Sequence, residues 1–97
     1  MENNKINPQL QKVREEIDKI DSELITLFIK RLECAKKVAE IKRENNLPVL
    51  NSAREQEIIE NVKSKSGELG EFTAEIFKDI MKVSKDYQKF LLEKEDK

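Results

Sequence analysis

The most informative polar residue in this chain is Arg31, because it interrupts an otherwise apolar helical seam. Apolar or small side chains recur at alternating steps of three and four residues from Leu10 to Ile41, the heptad pattern of an unbroken helix. A guanidinium at such a position must pair with an anion or extend to water, since an unpaired buried charge costs several kcal/mol. Arg31 therefore forms a structural salt bridge, extends its guanidinium to water, or binds an anion.

Two further cations flank the same seam. Arg14 and Lys42 each lie one residue after a seam position, where interhelical ion pairs are common. Arg31 and Lys42 are about three turns and 16 Å apart on one helix, so their long side chains could converge on a small anion. Arg14 lies about 42 Å from Lys42 and cannot join them within one chain. An antiparallel second copy, crossing near Leu24 to Phe28, would bring its Arg14 to the other two cations, twice by symmetry.

Polar residues also gather at the predicted start of the second helix, namely Asn51, Arg54 and Glu55. Ser52 and Glu55 have the Ser-x-x-Glu spacing of a capping box, which explains Glu55 without any ligand, and Asn51 suits the preceding loop. Arg54 has no such structural explanation. This segment therefore adds one cation to the candidate site and two residues whose roles stay open.

Ser84 and Gln88 place a hydroxyl and a carboxamide within the apolar face of the third predicted helix. They are four residues apart and continue the row of Phe77 and Met81. Such neutral groups could simply bond to the backbone or to each other. Combined with the cations described above, they indicate a pocket for a compact dianion.

Three helices must position these groups. Asn7 is a good N-cap and Pro8 a good first residue for the long helix, while Asn45, Asn46 and Pro48 mark its end. The segment SGELG separates the second helix from the third. We predict a single domain over residues 1–97 with helices at about 8–45, 53–64 and 71–92.

The length of the first helix predicts a homodimer. At 1.5 Å per residue it is about 57 Å long, whereas a compact chain of this size has a radius of gyration of about 13 Å. One copy cannot enclose such a rod. We therefore expect an all-α, three-helix subunit with one very long first helix, intertwined with a second copy.

Composition favours the same fold class and excludes several functions. Charged residues make up 40% of the chain and aromatic residues 5%, with two Gly and two Pro, which is typical of long helices. Basic and acidic residues number 19 and 20 and are interspersed, so we expect no nucleic-acid or membrane partner. No apolar run could span a bilayer or serve as a leader, so we expect a cytosolic protein.

The chemistry available to the chain is also limited. Cys34 is the only cysteine, and its seam position predicts a small buried side chain rather than a reactive thiol. Histidine, the usual general base and metal ligand, is absent from the sequence. We therefore expect any catalysis to be electrostatic and to need no metal or other cofactor.

These residues together resemble the all-helical, type II chorismate mutases, from about Val13 to Gln88. No single residue carries the resemblance, but their order and spacing do. The matching positions are Arg14 in VREEIDKID, Arg31 and Lys42 in KRLECAKKVAEIK, Arg54 and Glu55 in the SARE segment, and Ser84 with Gln88 near the C-terminus.

The resemblance implies an intertwined homodimer in which the long first helix serves both active sites. It also implies the conversion of chorismate to prephenate, an intramolecular Claisen rearrangement of the shikimate pathway on the route to phenylalanine and tyrosine. No covalent intermediate or proton transfer is needed. The enzyme's work is to hold the chair-like conformer and to stabilise the charge that separates as the ether bond breaks.

Roles follow from the residue match. Arg14 of the second chain and Arg31 would bind the two carboxylates, with Ser84 assisting at one of them. Lys42 and Gln88 would donate to the ether oxygen, where negative charge grows. Some members of the family carry Glu in place of Gln88, and that Glu must be protonated to donate, whereas an amide donates at every pH.

The resemblance assigns the remaining residues to the ring hydroxyl of the substrate. Glu55, with help from the Asn51 loop, would accept a hydrogen bond from this hydroxyl, and Arg54 would steady that end of the site. Many members of the family carry Asp where this chain has Asn51. The contact at that position is therefore expected to be weaker or purely positional.

Two alternatives remain open at this point. A sister activity on the same fold eliminates pyruvate from isochorismate, and it resembles this pattern except for an apolar residue at the position of Glu55. A non-catalytic helical dimerisation module would explain the seam, but not the inward Arg31 or the polar pair on the third helix. Substituting Arg31 by Leu separates the module from an enzyme, because a pure coiled coil would gain stability and lose nothing.

Overall fold

The computed structural model describes residues 7–95, and these form an all-α chain. The element order is α1 (Pro8–Glu44), α2 (Ser52–Ser66), a single 3₁₀ turn (Gly67–Leu69) and α3 (Gly70–Glu95). The all-α prediction is confirmed. Within residues 7–95, no helical stretch combines the length and the apolar character needed to cross a bilayer.

Local chemistry sets both ends of α1. The side-chain Oδ1 of Asn7 accepts a hydrogen bond from the backbone N–H of Leu10 at 3.0 Å, as expected of an N-cap. At the other end Asn46 adopts a left-handed φ of 57°, and the N–H of Leu47 bonds to the carbonyl of Lys42 at 2.8 Å. This is the Schellman arrangement, with Asn in the position that glycine usually takes.

The start of α2 differs from the sequence prediction. Its N-cap is Asn51, which has an extended backbone and whose Oδ1 accepts from the N–H of Arg54 at 3.1 Å. The predicted capping box of Ser52 and Glu55 is therefore wrong. Ser52 is already the first helical residue, and the carboxylate of Glu55 is engaged by Lys85.

A positive-φ glycine marks the break between α2 and α3. Gly67 has a φ of 56° and a ψ of −129°, a backbone conformation that residues with a Cβ rarely adopt. The 3₁₀ turn that follows leads directly into α3 at Gly70. The predicted breaker SGELG thus lies where the two helices separate.

The chain divides into two compact units, the first ending at Arg31 and the second beginning at Leu32. In the first unit α1 carries its apolar seam on an exposed surface. The seam side chains from residue 10 to residue 27 are between 42% and 60% exposed, namely Leu10, Val13, Ile17, Ile20, Leu24 and Leu27. This unit has no buried core in the described chain.

The second unit contains the core, and all three helices contribute to it. Its buried apolar side chains are Ala35 and Ala39 of α1, Val62 of α2, and Ala74 and Met81 of α3. The side chain of Cys34 is exposed, so its predicted burial is wrong. The buried face of α1 in this unit lies one residue further along than the predicted seam, at Ala35 and Ala39.

Candidate functional site

Lys42 lies in the last turn of α1 and is held by the loop that follows. Its Nζ donates to the carbonyl oxygen of Val49 at 2.7 Å, and both residues are half-buried. The Schellman turn after the helix brings this loop back toward the ammonium. Since an ammonium has three N–H donors, the bond to Val49 leaves two for another acceptor.

Glu55 lies in the first turn of α2 and forms an ion pair with Lys85 of α3. Glu55 Oε2 and Lys85 Nζ are 2.8 Å apart, and each side chain is 29% exposed. A carboxylate has two oxygens and about four acceptor positions, so this pairing leaves acceptor capacity on Glu55. The ion pair fixes the carboxylate between the two helices.

Ser84 and Gln88 are buried on α3, with exposures of 6% and 7%. The Oε1 atom of Gln88 is inaccessible to solvent and has no hydrogen-bond partner within the described chain. Buried carboxamide oxygens are normally paired, so an unpaired one indicates either a strained position or a group that awaits a ligand. These two residues are the most buried polar side chains of the second unit.

The other predicted site residues of this unit lie in more open positions. Asn51 is exposed, and its side-chain oxygen is used to cap α2. Arg54 is also exposed, and its guanidinium pairs with Glu57 one turn along the same helix. The substrate contacts suggested for Asn51 and Arg54 stay predictions.

Arg14 and Arg31 belong to the first unit. Arg14 is exposed and Arg31 is half-buried. Four other members of the predicted set, Lys42, Glu55, Ser84 and Gln88, belong to the second unit. The convergence of the two arginines with this group stays a prediction.

Sequence reasoning did not single out Lys85. A lysine beside an apolar stripe resembles any solvated flanking charge, and only its pairing with Glu55 across two helices distinguishes it. A sequence signal was present, because Lys85 is four residues after Met81 and three before Gln88. The second unit thus contains two half-buried cations, Lys42 and Lys85, two half-buried carboxylates, Glu40 and Glu55, and the buried Ser84 and Gln88.

Among residues 7–95 no three side chains of the metal-ligating types cluster together. Half-buried cations and buried neutral groups on packed helices are typical of helical proteins that bind a small anionic ligand.

Comparison with known proteins identifies that class. The model of the chorismate mutase type II family matches residues 13–89, and the chain belongs to this family. A protein named chorismate mutase, from Methanocaldococcus jannaschii, is 32% identical over 88% of this chain and 89% of its own length.

Two further relatives extend the comparison. The bifunctional chorismate mutase/prephenate dehydratase of Aquifex aeolicus is 43% identical over 54 residues, and this chain spans only 15% of its length. A solved structure, a conserved hypothetical protein from Pyrococcus furiosus, is 44% identical with a TM-score of 0.69. That match covers 84% of this chain and 97% of the Pyrococcus chain.

Proposed function

We propose that this chain is a chorismate mutase, an isomerase that converts chorismate to prephenate on the route to phenylalanine and tyrosine. The observation that carries the proposal is the buried polar pair of α3, Ser84 and Gln88, in the same unit as half-buried Lys42 and Glu55. The Oε1 atom of Gln88 is buried without a hydrogen-bond partner in the described chain, and such a group is costly unless a ligand pairs with it. The family match over residues 13–89 supports the same reaction.

The Claisen rearrangement needs orientation and electrostatic stabilisation. Lys42 supplies an ammonium whose bond to Val49 fixes its position and leaves two donors. Gln88 supplies a neutral carboxamide in a site that excludes water. In this proposal both donate to the ether oxygen of chorismate, where negative charge grows as the carbon–oxygen bond breaks, and such fixed donors stabilise the transition state more than the ground state.

The carboxylates and the ring hydroxyl of the substrate take the other groups. Arg31 and the Arg14 of a second chain would bind the two carboxylates, with Ser84 assisting at one. Glu55, held by Lys85, would accept from the hydroxyl. Together these contacts would hold the substrate in its reactive chair conformer, which is rarely populated in water.

The proposal includes a homodimer. The exposed seam of α1 supports this step, because six apolar side chains at heptad spacing are each about half accessible in one chain. Burying the rest of each side chain contributes on the order of 1 kcal/mol. A helix this long derives most of its stability from packing rather than from intrinsic propensity, so a second copy of the same seam is a fitting cover.

The test is product identification with the purified chain. Incubation with chorismate should decrease the absorbance of chorismate and yield prephenate. Incubation with isochorismate should release no pyruvate. A Lys37→Ala variant should behave as wild type, since Lys37 is an exposed lysine on the same helix as Lys42. Pyruvate release from isochorismate without prephenate formation would replace the proposal with the sister activity, and inactivity on both substrates would leave a dimerisation module.

A further inference from the structure

The Glu55–Lys85 ion pair differs from the other ion pairs of the second unit. It joins α2 to α3 at 2.8 Å, and only 29% of each side chain is exposed. Lys63 and Glu71 also join α2 to α3, but at 3.7 Å and with exposures of 46% and 87%. Ion pairs that are short and partly buried interact more strongly than exposed ones, so Glu55–Lys85 is the stronger of these two pairs.

The position of Lys85 places this pair beside the buried polar groups of α3. Lys85 directly follows Ser84 and lies one turn before Gln88, both of which are buried. Its partner Glu55 is the carboxylate that the proposed function assigns to the ring hydroxyl of a dianionic substrate. A carboxylate close to two substrate carboxylates repels them, and partial burial strengthens that repulsion relative to water.

We propose that Lys85 is a positioning residue of the proposed active site, which holds the Glu55 carboxylate and compensates its negative charge. Lys85 bonds to one oxygen of Glu55, so the other oxygen stays available to the substrate hydroxyl. The compensated pair then orients the ring without repelling the dianion. This inference rests on the proposed function.

The inference is tested with Lys85→Met, which keeps the length of the side chain and removes its charge. We expect KM for chorismate to rise about tenfold, the factor that corresponds to losing a modest charge interaction. The value of kcat should change less than about threefold, because the uncompensated charge of Glu55 repels the substrate in the ground state and in the transition state alike. Lys85→Arg keeps the positive charge and should restore KM to near the wild-type value.

A matched control and a double variant separate charge compensation from simple support of the fold. Lys82 pairs with Asp86 on the exposed surface of the same helix, so Lys82→Met removes one lysine charge without touching Glu55. Its KM should stay at the wild-type value. Adding Glu55→Gln to Lys85→Met removes the uncompensated charge and should lower KM relative to Lys85→Met alone.

Each outcome decides the inference. The role of Lys85 is overturned by any of three results: an unchanged KM in Lys85→Met, an equal rise of KM in Lys82→Met, or a further loss of affinity in the double variant. None of these results would argue against the mutase activity itself. A wild-type chain that does not convert chorismate would instead overturn the proposed function, and the role of Lys85 would fall with it. A rise of KM in Lys85→Met that is reversed both in Lys85→Arg and in the double variant would establish charge compensation.

Discussion

Two inactive variants should restore activity to each other if Arg14 acts across the dimer. The perturbation is a pair of single substitutions, Arg14→Ala and Lys42→Ala, each purified alone and then unfolded and refolded as an equal mixture. Along α1 the two residues are 28 positions apart, which corresponds to about 42 Å. Side chains that far apart on one helix cannot meet on one small substrate, so the proposed site draws them from different chains.

The size of the recovery follows from counting sites. Random pairing gives half mixed dimers, and in each mixed dimer one site receives both mutations while the other receives none. The mixture should therefore show about a quarter of wild-type activity, although each variant alone is nearly inactive. The assay is the initial rate of chorismate loss, normalised to total protein, with native mass spectrometry of a tagged variant to verify that mixed dimers formed.

A second mixture provides the matched control. Arg31 and Lys42 are proposed to serve the same site from the same chain, so a mixture of Arg31→Ala with Lys42→Ala contains no intact site and should recover nothing. Recovery in this second mixture would refute the assignment of Arg31 and Lys42 to the same chain. The absence of recovery in the first mixture, with mixed dimers present, would refute the shared site altogether.

Three other substitutions test separate parts of the account. In Gln88→Glu, burial raises the pKa of the new carboxyl, and only its protonated form donates. Activity should therefore be greatest below that pKa and fall about tenfold per pH unit above it, whereas the activity of wild type stays independent of pH. Full activity of Gln88→Glu above neutral pH would contradict this. Asn51→Ala should lower the free energy of unfolding by about 1 kcal/mol in urea titrations, while Asn51→Asp keeps the cap and should match wild type; equal loss in both would show that the cap is not the cause. Arg31→Leu should abolish turnover; retained turnover with a gain in stability would contradict the assignment of Arg31 to a substrate carboxylate.

The sequence predicted the helices best where a single side chain decides the local backbone. Asn7 and Asn46 end α1 as predicted, because an N-cap oxygen and a left-handed residue are properties of the residue itself. The start of α2 was harder. Asn51 and Ser52 are both good caps, and the choice between them depends on which residue has an extended backbone, which composition does not reveal.

Residues whose environment depends on neighbouring helices were predicted less well. Periodicity placed Cys34 on the apolar seam, but the face of α1 that is buried within the second unit is shifted to Ala35 and Ala39. A period of 3.6 residues does not distinguish adjacent faces of one helix. Lys85 was missed for a similar reason, since its importance depends on Glu55, thirty residues earlier in the chain.

Lys42 is proposed to stabilise the negative charge that grows on the ether oxygen, and kcat for chorismate in Lys42→Ala beside Lys37→Ala measures this directly. We expect a loss of at least about 100-fold in Lys42→Ala with the dimer intact, and no loss in Lys37→Ala, since removing one preorganised donor costs roughly 3 kcal/mol of transition-state stabilisation. A folded, dimeric Lys42→Ala protein that keeps wild-type kcat would contradict the proposed role of Lys42.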